Sequence, residues 1–506
     1  MKKEEDIIIL IKSLSKSEKR YFKLFVGKNS KGDSNHFVKL FDLLEKSGTA
    51  KKKQVQKLYG NDYFIQQHFS PYKNKLYNQI LKSLRSYHSG KHADDEIMEL
   101  IRDAKILFNK TLYDQSVKIL KKAKKTAFKY EKFTLLLEII HWQKKIFIYW
   151  AINNSASDKE IVQLLEEEKS ITHKIENESK YWKQYALMHL ATGGRGEVKE
   201  KKKVDTLKGI INVPILQEEE LALSYEAKKL FHKTYLEYFF AVNNSEKAFD
   251  YTKNVVELIE SHSHQIEEDP IQYGGALHNI LVVILYKKKY EEFFKMIPKL
   301  KLIVKKFKQP FAIRVGTYNI ELAAYLRTGQ YKKAAELIPE IELILKAEKN
   351  NYSLNKFYII QNIALIHFIN SEYREALSKL NLILNENNFH LNEDDYRFFK
   401  VFELVIHFEK GNAELLPYLL KSFYRYLMQK KQYPLERVIL KFFKTVLNSK
   451  TNRREQMENF KLFKNELVKL NNDHRKEILL GQFDLISWLE SKIEKRPFGE
   501  ILIEKL

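Results

Sequence analysis

The side chains of this sequence that could do chemistry are few and scattered. Glu138 and His141 have the Glu-x-x-His spacing of di-iron helical bundles, but such a site needs two of these pairs and two further glutamates. A polar stretch from His262 to Asp269, just before Pro270, holds two histidines and three carboxylates, which are the residue types of a metal site. Acidic and histidine side chains are also ordinary in a polar loop. We therefore expect no metal site and no cofactor.

A glycine-rich stretch at residues 191–206, ATGGRGEVKEKKKVDT, could suggest a loop that cradles phosphate. A phosphate-binding loop follows a strand and ends in Gly-Lys-Ser/Thr, and neither feature is found. Because glycine and charge disfavour packing, we predict a flexible linker or loop here. The sequence also lacks HExxH, GxSxG and dinucleotide-binding motifs. We expect no catalytic residue and a protein that is not an enzyme.

Composition narrows the possible folds. The 506 residues include no cysteine, which excludes disulfides, thiolate metal ligands and a cysteine nucleophile. The 16 glycines and 9 prolines are too few for a chain of many tight turns, whereas 44% hydrophobic residues are ample for a core. The apolar run from Ile7 to Ile11 is shorter than the ~7–15 residues of a secretory signal. We expect a cytoplasmic protein without a membrane span.

The elements that must position any site are predicted to be helices. Apolar residues recur at i, i+3, i+4 and i+7 along nearly the whole chain. A motif also repeats: a glycine or small polar residue, any residue, an aromatic, two residues, then a small or apolar residue. Copies occur as KTLYDQSVKIL, KKKYEEFFKMI, TGQYKKAAELI and NSEYREALSKL. A looser copy is EKGNAELLPYL, and NNSEKAFDYTK and LGQFDLISWLE are degenerate copies. The aligned positions 290, 331, 373 and 413 are about 41 residues apart, which indicates stacked helical hairpins.

This motif resembles that of the tetratricopeptide (TPR) repeat family. The matching residues are Leu100, Ala104, Tyr113, Leu120 and Ala123 near the start, and Ala364, Ser371, Tyr373, Ala376, Leu380 and Ile383 further on. The period is longer than the 34 residues of that family, which indicates an irregular, bacterial type of TPR-like array. The alternative is a helical-hairpin solenoid of another family. The resemblance implies an all-α fold with an α-solenoid of TPR-like hairpins, and the basic N-terminal region without the motif is expected to form a separate helical domain.

We divide the chain into a basic helical domain (1–90), first TPR-like hairpins (91–190), the linker (191–206) and a TPR-like solenoid (207–506). The resemblance implies a concave groove, formed by the first helix of each hairpin, that binds a peptide or helix of a partner protein. Twelve or eleven residues before the turn aromatics lie the candidate partner-binding residues His278, Asn279, Asn319, Gln361 and Asn362. TPR proteins that clamp a carboxylate carry lysine at the first position, which none of these is. We expect a non-catalytic interaction scaffold or adaptor.

The N-terminal region suggests a second function, that of a nucleic-acid-binding regulator. Residues 1–92 hold 20 Lys+Arg and 8 Asp+Glu. In a helix predicted over 70–88, Lys75, Asn78, Lys82 and Arg85 lie opposite an apolar face. After the lysine-rich helix predicted over 50–59, this helix could be the recognition helix of a helix-turn-helix module, in which Lys and Arg contact phosphate. The alternative is an ordinary basic surface helix.

Overall fold

The structure is a computed structural model, and every regular element in its described residues is a helix. The described ranges are 6–29, 34–47, 69–90, 92–151, 158–193, 200–307, 309–347, 354–385, 393–428, 434–448, 453–472 and 483–506. The all-α prediction is confirmed. The chain forms two compact units, Met1–Ser179 and Lys180–Leu506.

Unit 1 contains two hydrophobic cores. Its helices are α1 (Asp6–Ser13), α2 (Lys16–Asn29), α3 (Ser34–Ser47), α4 (Phe69–His88), α5 (Ala93–Asn109), α6 (Tyr113–Lys129), α7 (Phe133–Ala151) and the first part of α8 (Asp158–Thr192). One core joins α1 to α4, with Phe22, Phe41 and Ile80 at its centre. The other joins α5 to α8 around Leu120 and Leu136. The helix predicted over 50–59 lies outside the described residues.

Unit 2 is a succession of helices that pack mostly on their neighbours in sequence. They are α9 (Lys201–Ile211), α10 (Tyr225–Ala241), α11 (Ser245–Ser261), α12 (Ser263–Glu268), α13 (Pro270–Tyr286), α14 (Tyr290–Lys306), α15 (Phe311–Arg327), α16 (Tyr331–Glu336), α17 (Ile338–Ala347), α18 (Leu354–Ile369), α19 (Tyr373–Leu384), α20 (Glu393–Glu409), α21 (Leu416–Met428), α22 (Pro434–Asn448), α23 (Arg453–Asn472), α24 (Leu485–Glu494) and α25 (Phe498–Glu504). Helices α10 and α11, α13 and α14, and α18 and α19 form antiparallel hairpins. This is the predicted stack of helical hairpins.

The hairpin turns have one geometry. An aromatic residue begins the second helix of each of three successive hairpins. Two positions before it, the backbone has a positive φ, at Lys288 (57°), Gly329 (67°) and Ser371 (62°). The next residue's amide donates to the carbonyl five positions earlier, as Gln330 does to Tyr325 at 2.9 Å. This is the Schellman ending of a helix, in which a left-handed residue lets the last carbonyls find donors. The repeat motif therefore encodes a helix stop followed by a helix start.

The turn aromatics occupy equivalent places. Tyr113, Tyr290, Tyr331 and Tyr373 are each the first residue of a second helix. The small or apolar residue three positions later is at most 1% exposed in six of the predicted copies, namely Ser116, Ala248, Phe293, Ala334, Ala376 and Leu416. Burial at this position explains the motif, because the side chain there faces the first helix and sets how closely the two helices approach.

The C-terminal copy of the motif differs from the others in its described part. Gly481 of the predicted copy lies outside the described residues, and Phe483 precedes α24 instead of beginning it. Phe483 packs against Phe368 with ring centroids 5.2 Å apart, and Trp488 Nε1 donates to Glu409 Oε1 at 2.6 Å. Helices α24 and α25 therefore fold back onto the ends of the first helices of two hairpins. There they share the largest core of unit 2.

Candidate interaction surfaces

Three first helices of unit 2 lie side by side. Helix α13 packs on α15, and α15 packs on α18. All five predicted partner-binding residues are on these helices. His278 and Asn279 are on α13, Asn319 is on α15, and Gln361 and Asn362 are on α18. The surface made by Asn279, Asn319 and Asn362 is called the asparagine row below.

The two asparagines of α15 and α18 are bonded to each other. Asn362 Nδ2 donates to Asn319 Oδ1 at 2.8 Å, and both side chains are partly exposed. This single bond uses one donor of Asn362 and the oxygen of Asn319. Within the described part of the chain, the N–H donors of Asn319 and the Oδ1 acceptor of Asn362 remain for another molecule. An extended peptide presents N–H and C=O groups along its edge, and such a pair can satisfy both.

His278 packs more deeply than a groove-lining residue. Its ring contacts the backbone of Gly316 and the side chain of Asn279, and burial lowers its pKa below the ordinary value. A Cβ on Gly316 would lie 2.9 Å from His278 Nε2, so the glycine makes room for the ring between α13 and α15. His278 thus ties neighbouring first helices together, which leaves Asn279 as the exposed residue of that pair.

Gln361 is also an inter-helix residue, at only 7% exposure. Two residues that sequence reasoning missed share the face of Asn362 on α18. Tyr358 is 41% exposed one turn earlier, and Asn355 Nδ2 donates to Ala312 O of α15 at 2.9 Å. The sequence could have indicated them, because residues four and seven positions before Asn362 share its helix face.

The basic face of α4 has the predicted geometry. Lys75, Asn78, Lys82 and Arg85 are exposed, while Tyr72, Leu76 and Ile80 of the same helix are buried. Within the described ranges, Lys75, Lys82 and Arg85 form no ion pair. Because the predicted helix before α4 lies outside those ranges, the helix-turn-helix arrangement stays a prediction.

The histidine and carboxylate pairs noted in the sequence have ordinary partners. Glu138 accepts from Lys105 Nζ at 2.8 Å and from Trp142 Nε1 at 3.1 Å, and the pairing with Lys105 lowers the pKa of Glu138. His262 Nδ1 lies 2.9 Å from Leu258 O. No group of three or more potential metal ligands is found among the residues that the structure describes.

The proposed linker falls only partly within the described ranges. Residues 194–199 lie outside them, and α9 begins at Lys201. The boundaries of the four predicted segments stay predictions. None of the described helices is both long enough and apolar enough to cross a bilayer.

Comparison with known proteins gives little beyond this. No protein-family model and no curated protein matches the chain. One similar solved structure is a signal transduction ATPase with numerous domains (STAND) protein with a tetratricopeptide repeat sensor, from Pyrococcus horikoshii. It is 14% identical, with a TM-score of 0.35, over 82% of this chain and 54% of that one. The chain thus spans about half the length of this neighbour. The class to which the chain is assigned, an all-α protein of stacked helical hairpins, rests on its own helix packing.

Proposed function

We propose that the protein is a non-catalytic interaction module whose unit 2 binds an extended peptide segment of a partner protein along the asparagine row. The observation that carries the proposal is the Asn319–Asn362 pair, which joins two adjacent first helices and, within the described residues, leaves the N–H groups of Asn319 and Oδ1 of Asn362 unused. Backbone recognition of this kind gives affinity for an extended segment, and neighbouring side chains add selectivity. Exposed Tyr358, on the same face as Asn362, supplies an aromatic contact.

Peptide display against the whole protein tests this proposal. We expect selected peptides to bind wild-type protein at one site, and the double variant Asn319→Leu/Asn362→Leu to weaken binding about tenfold or more, since unpaired polar groups on the peptide would then be desolvated. The matched control is Asn381→Leu, an exposed asparagine on α19, a second helix. Equal affinity of wild type and double variant would contradict the proposal.

A second function, nucleic-acid binding through α4, is favoured by the three exposed cations there, which form no ion pair with any residue in the described ranges. Phosphate contacts would make binding strongly salt-dependent, with log K falling by about 0.9 per contact for each unit of log salt. We expect the reversal Lys75→Glu/Lys82→Glu/Arg85→Glu to reduce both duplex DNA affinity and this slope. The absence of DNA and RNA binding at low salt would exclude this function.

A further inference from the structure

A second groove lies within unit 1, between α6, α7 and α8. It encloses a cavity of about 790 Å³. One wall is α6, from which Lys118, Lys121 and Lys125 line the cavity at spacings of three and four residues. Residues spaced in this way share one helix face and span roughly 10 Å along the axis. The groove is therefore bordered by a short row of positive charges.

Among the described residues, no carboxylate neutralises these three lysines. A fourth, Lys124, is paired with Glu167 of α8 across the groove. In the part of the chain that the structure describes, Lys118, Lys121 and Lys125 have no carboxylate partner, and all three are exposed. The remaining acidic residues of the lining, Asp114 and Glu160, are close to the N-terminal ends of α6 and α8. One end of the groove is thus acidic, and the rest of its α6 wall carries the lysines.

The floor of the groove is apolar. Val117, Ile146 and Leu164 line it, and Phe128 stays 44% exposed at the lysine end. Gln143 Oε1 is buried among them without a hydrogen-bond partner in the described structure. An apolar floor with an exposed aromatic and an unused acceptor is typical of a surface that receives side chains. Phosphate contacts alone would not require it.

We propose that this groove docks an acidic amphipathic helix of a partner protein. Apolar side chains at i, i+3 or i+4 and i+7 of that helix would fill the floor, since helix-in-groove recognition uses this spacing. Its carboxylates would face Lys118, Lys121 and Lys125. Asp114 and Glu160 disfavour acid at the other end and so set the direction of the bound helix. This site is independent of the asparagine row.

The test uses full-length protein and a fluorescent 20-residue peptide with a leucine stripe flanked by glutamates. Binding is measured by anisotropy at low and high NaCl. We expect saturable binding that weakens as salt rises, because the exposed charges are screened. The triple variant Lys118→Glu/Lys121→Glu/Lys125→Glu should bind about tenfold or more weakly. The matched control reverses three other exposed lysines, Lys421, Lys444 and Lys461, and should change affinity less than twofold.

Two further probes distinguish an acidic amphipathic helix from other anionic ligands of the groove. Poly-glutamate lacks the apolar stripe, and oligo(dT) carries phosphate with bases. If either probe bound wild type as tightly as the helical peptide does, the proposal would be overturned in favour of general polyanion binding. The same conclusion would follow if both triple variants lost equal affinity for the helical peptide. No binding of the helical peptide would also overturn it. Self-association that the Lys118/Lys121/Lys125 reversal abolishes, measured by sedimentation without peptide, would assign the groove to a second copy of this chain instead.

Discussion

At the scale of single residues, two glycines with the same backbone conformation have different surroundings. Gly329 and Gly411 occupy equivalent turns, with φ of 67° and 70°. A Cβ on Gly411 would meet nothing within 4 Å, whereas a Cβ on Gly329 would lie 2.9 Å from Ile503 and 3.0 Å from Leu506. Both the positive φ of the turn and the close approach of the C-terminal residues therefore require glycine at 329. At 411 only the positive φ requires it.

This difference predicts unequal effects of one substitution. Gly411→Ala should lower the free energy of unfolding by about 1 kcal/mol, the cost of a left-handed alanine. Gly329→Ala should cost about 1 kcal/mol more, because Ile503 and Leu506 must move. Urea unfolding measures both values, and hydrogen exchange should show lost protection in α25 for Gly329→Ala alone. Equal losses in the two variants would show that α25 does not dock on this turn.

A buried histidine predicts how stability depends on pH. His232 is 4% exposed, its Nε2 lies 3.2 Å from Glu219 Oε1, and burial lowers its pKa despite that carboxylate. In the unfolded chain a histidine titrates near pH ~6.5. Below that pH the unfolded state binds a proton that the folded state does not. Stability is therefore complete above this pH and is lost as the pH falls.

The test compares wild type with His232→Gln between pH 7.5 and 5.5. Wild type should lose up to about 1.4 kcal/mol more per pH unit than the variant, which has no proton to bind. Hydrogen exchange in α10 reports the opening of this region. If wild type and His232→Gln lose stability in parallel, the histidine does not titrate in this way.

At the scale of elements, the turn motif was the feature of the sequence that best predicted the stacked hairpins. Hydrophobic period predicted helices, and the spacing of Tyr290, Tyr331 and Tyr373 predicted equivalent turns. The α6–α7 turn was missed because Glu131, a charged residue, takes its positive-φ position at 50°. Phe133 begins α7, and Leu136, three residues later, is fully buried, so the rest of the motif was present.

The contacts of the asparagine row could not be predicted. Asn319 and Asn362 are 43 residues apart, and their types alone do not show whether they bond to each other or to solvent. The lysine-lined groove was missed for a similar reason. Its walls come from three helices, so no local pattern marks it. The role of α24 and α25 was obscured because Phe483 sits in a motif that resembles a repeat turn but packs on Phe368.

At the fourth position of each second helix, we expect a larger or a smaller side chain to lower the free energy of unfolding. Ala376 and Phe293 occupy equivalent, fully buried places on α19 and α14. Ala376→Phe should overpack its hairpin and cost about 1–3 kcal/mol. Phe293→Ala should leave a cavity and cost about 3–5 kcal/mol. Unfolding free energies test both, with the exposed Ser378→Phe on α19 as the control, expected to change stability by less than about 0.5 kcal/mol. Small effects at both buried positions would mean that the motif does not set helix approach.

At the scale of the whole molecule, the proposed peptide binding depends on which helices are neighbours. Consecutive hairpins place α13, α15 and α18 side by side, and this alone brings together residues more than forty positions apart in sequence. The C-terminal helices reinforce the arrangement from one end, through Phe483 on Phe368 and Trp488 on Glu409. The asparagine row is thus a property of the stack and not of any single hairpin.

Disulfide cross-linking tests this stacking most directly, because the chain has no cysteine of its own. Asn319→Cys/Asn362→Cys places thiols on adjacent first helices whose native side chains are bonded, and oxidation should cross-link this pair within one chain much faster than a pair on helices that are not neighbours. The control Asn279→Cys/Asn362→Cys, with α15 between the two helices, should stay reduced under the same conditions. Efficient cross-linking of the control pair, or none of the Asn319/Asn362 pair in folded protein, would contradict the stacked row on which the proposed peptide binding rests.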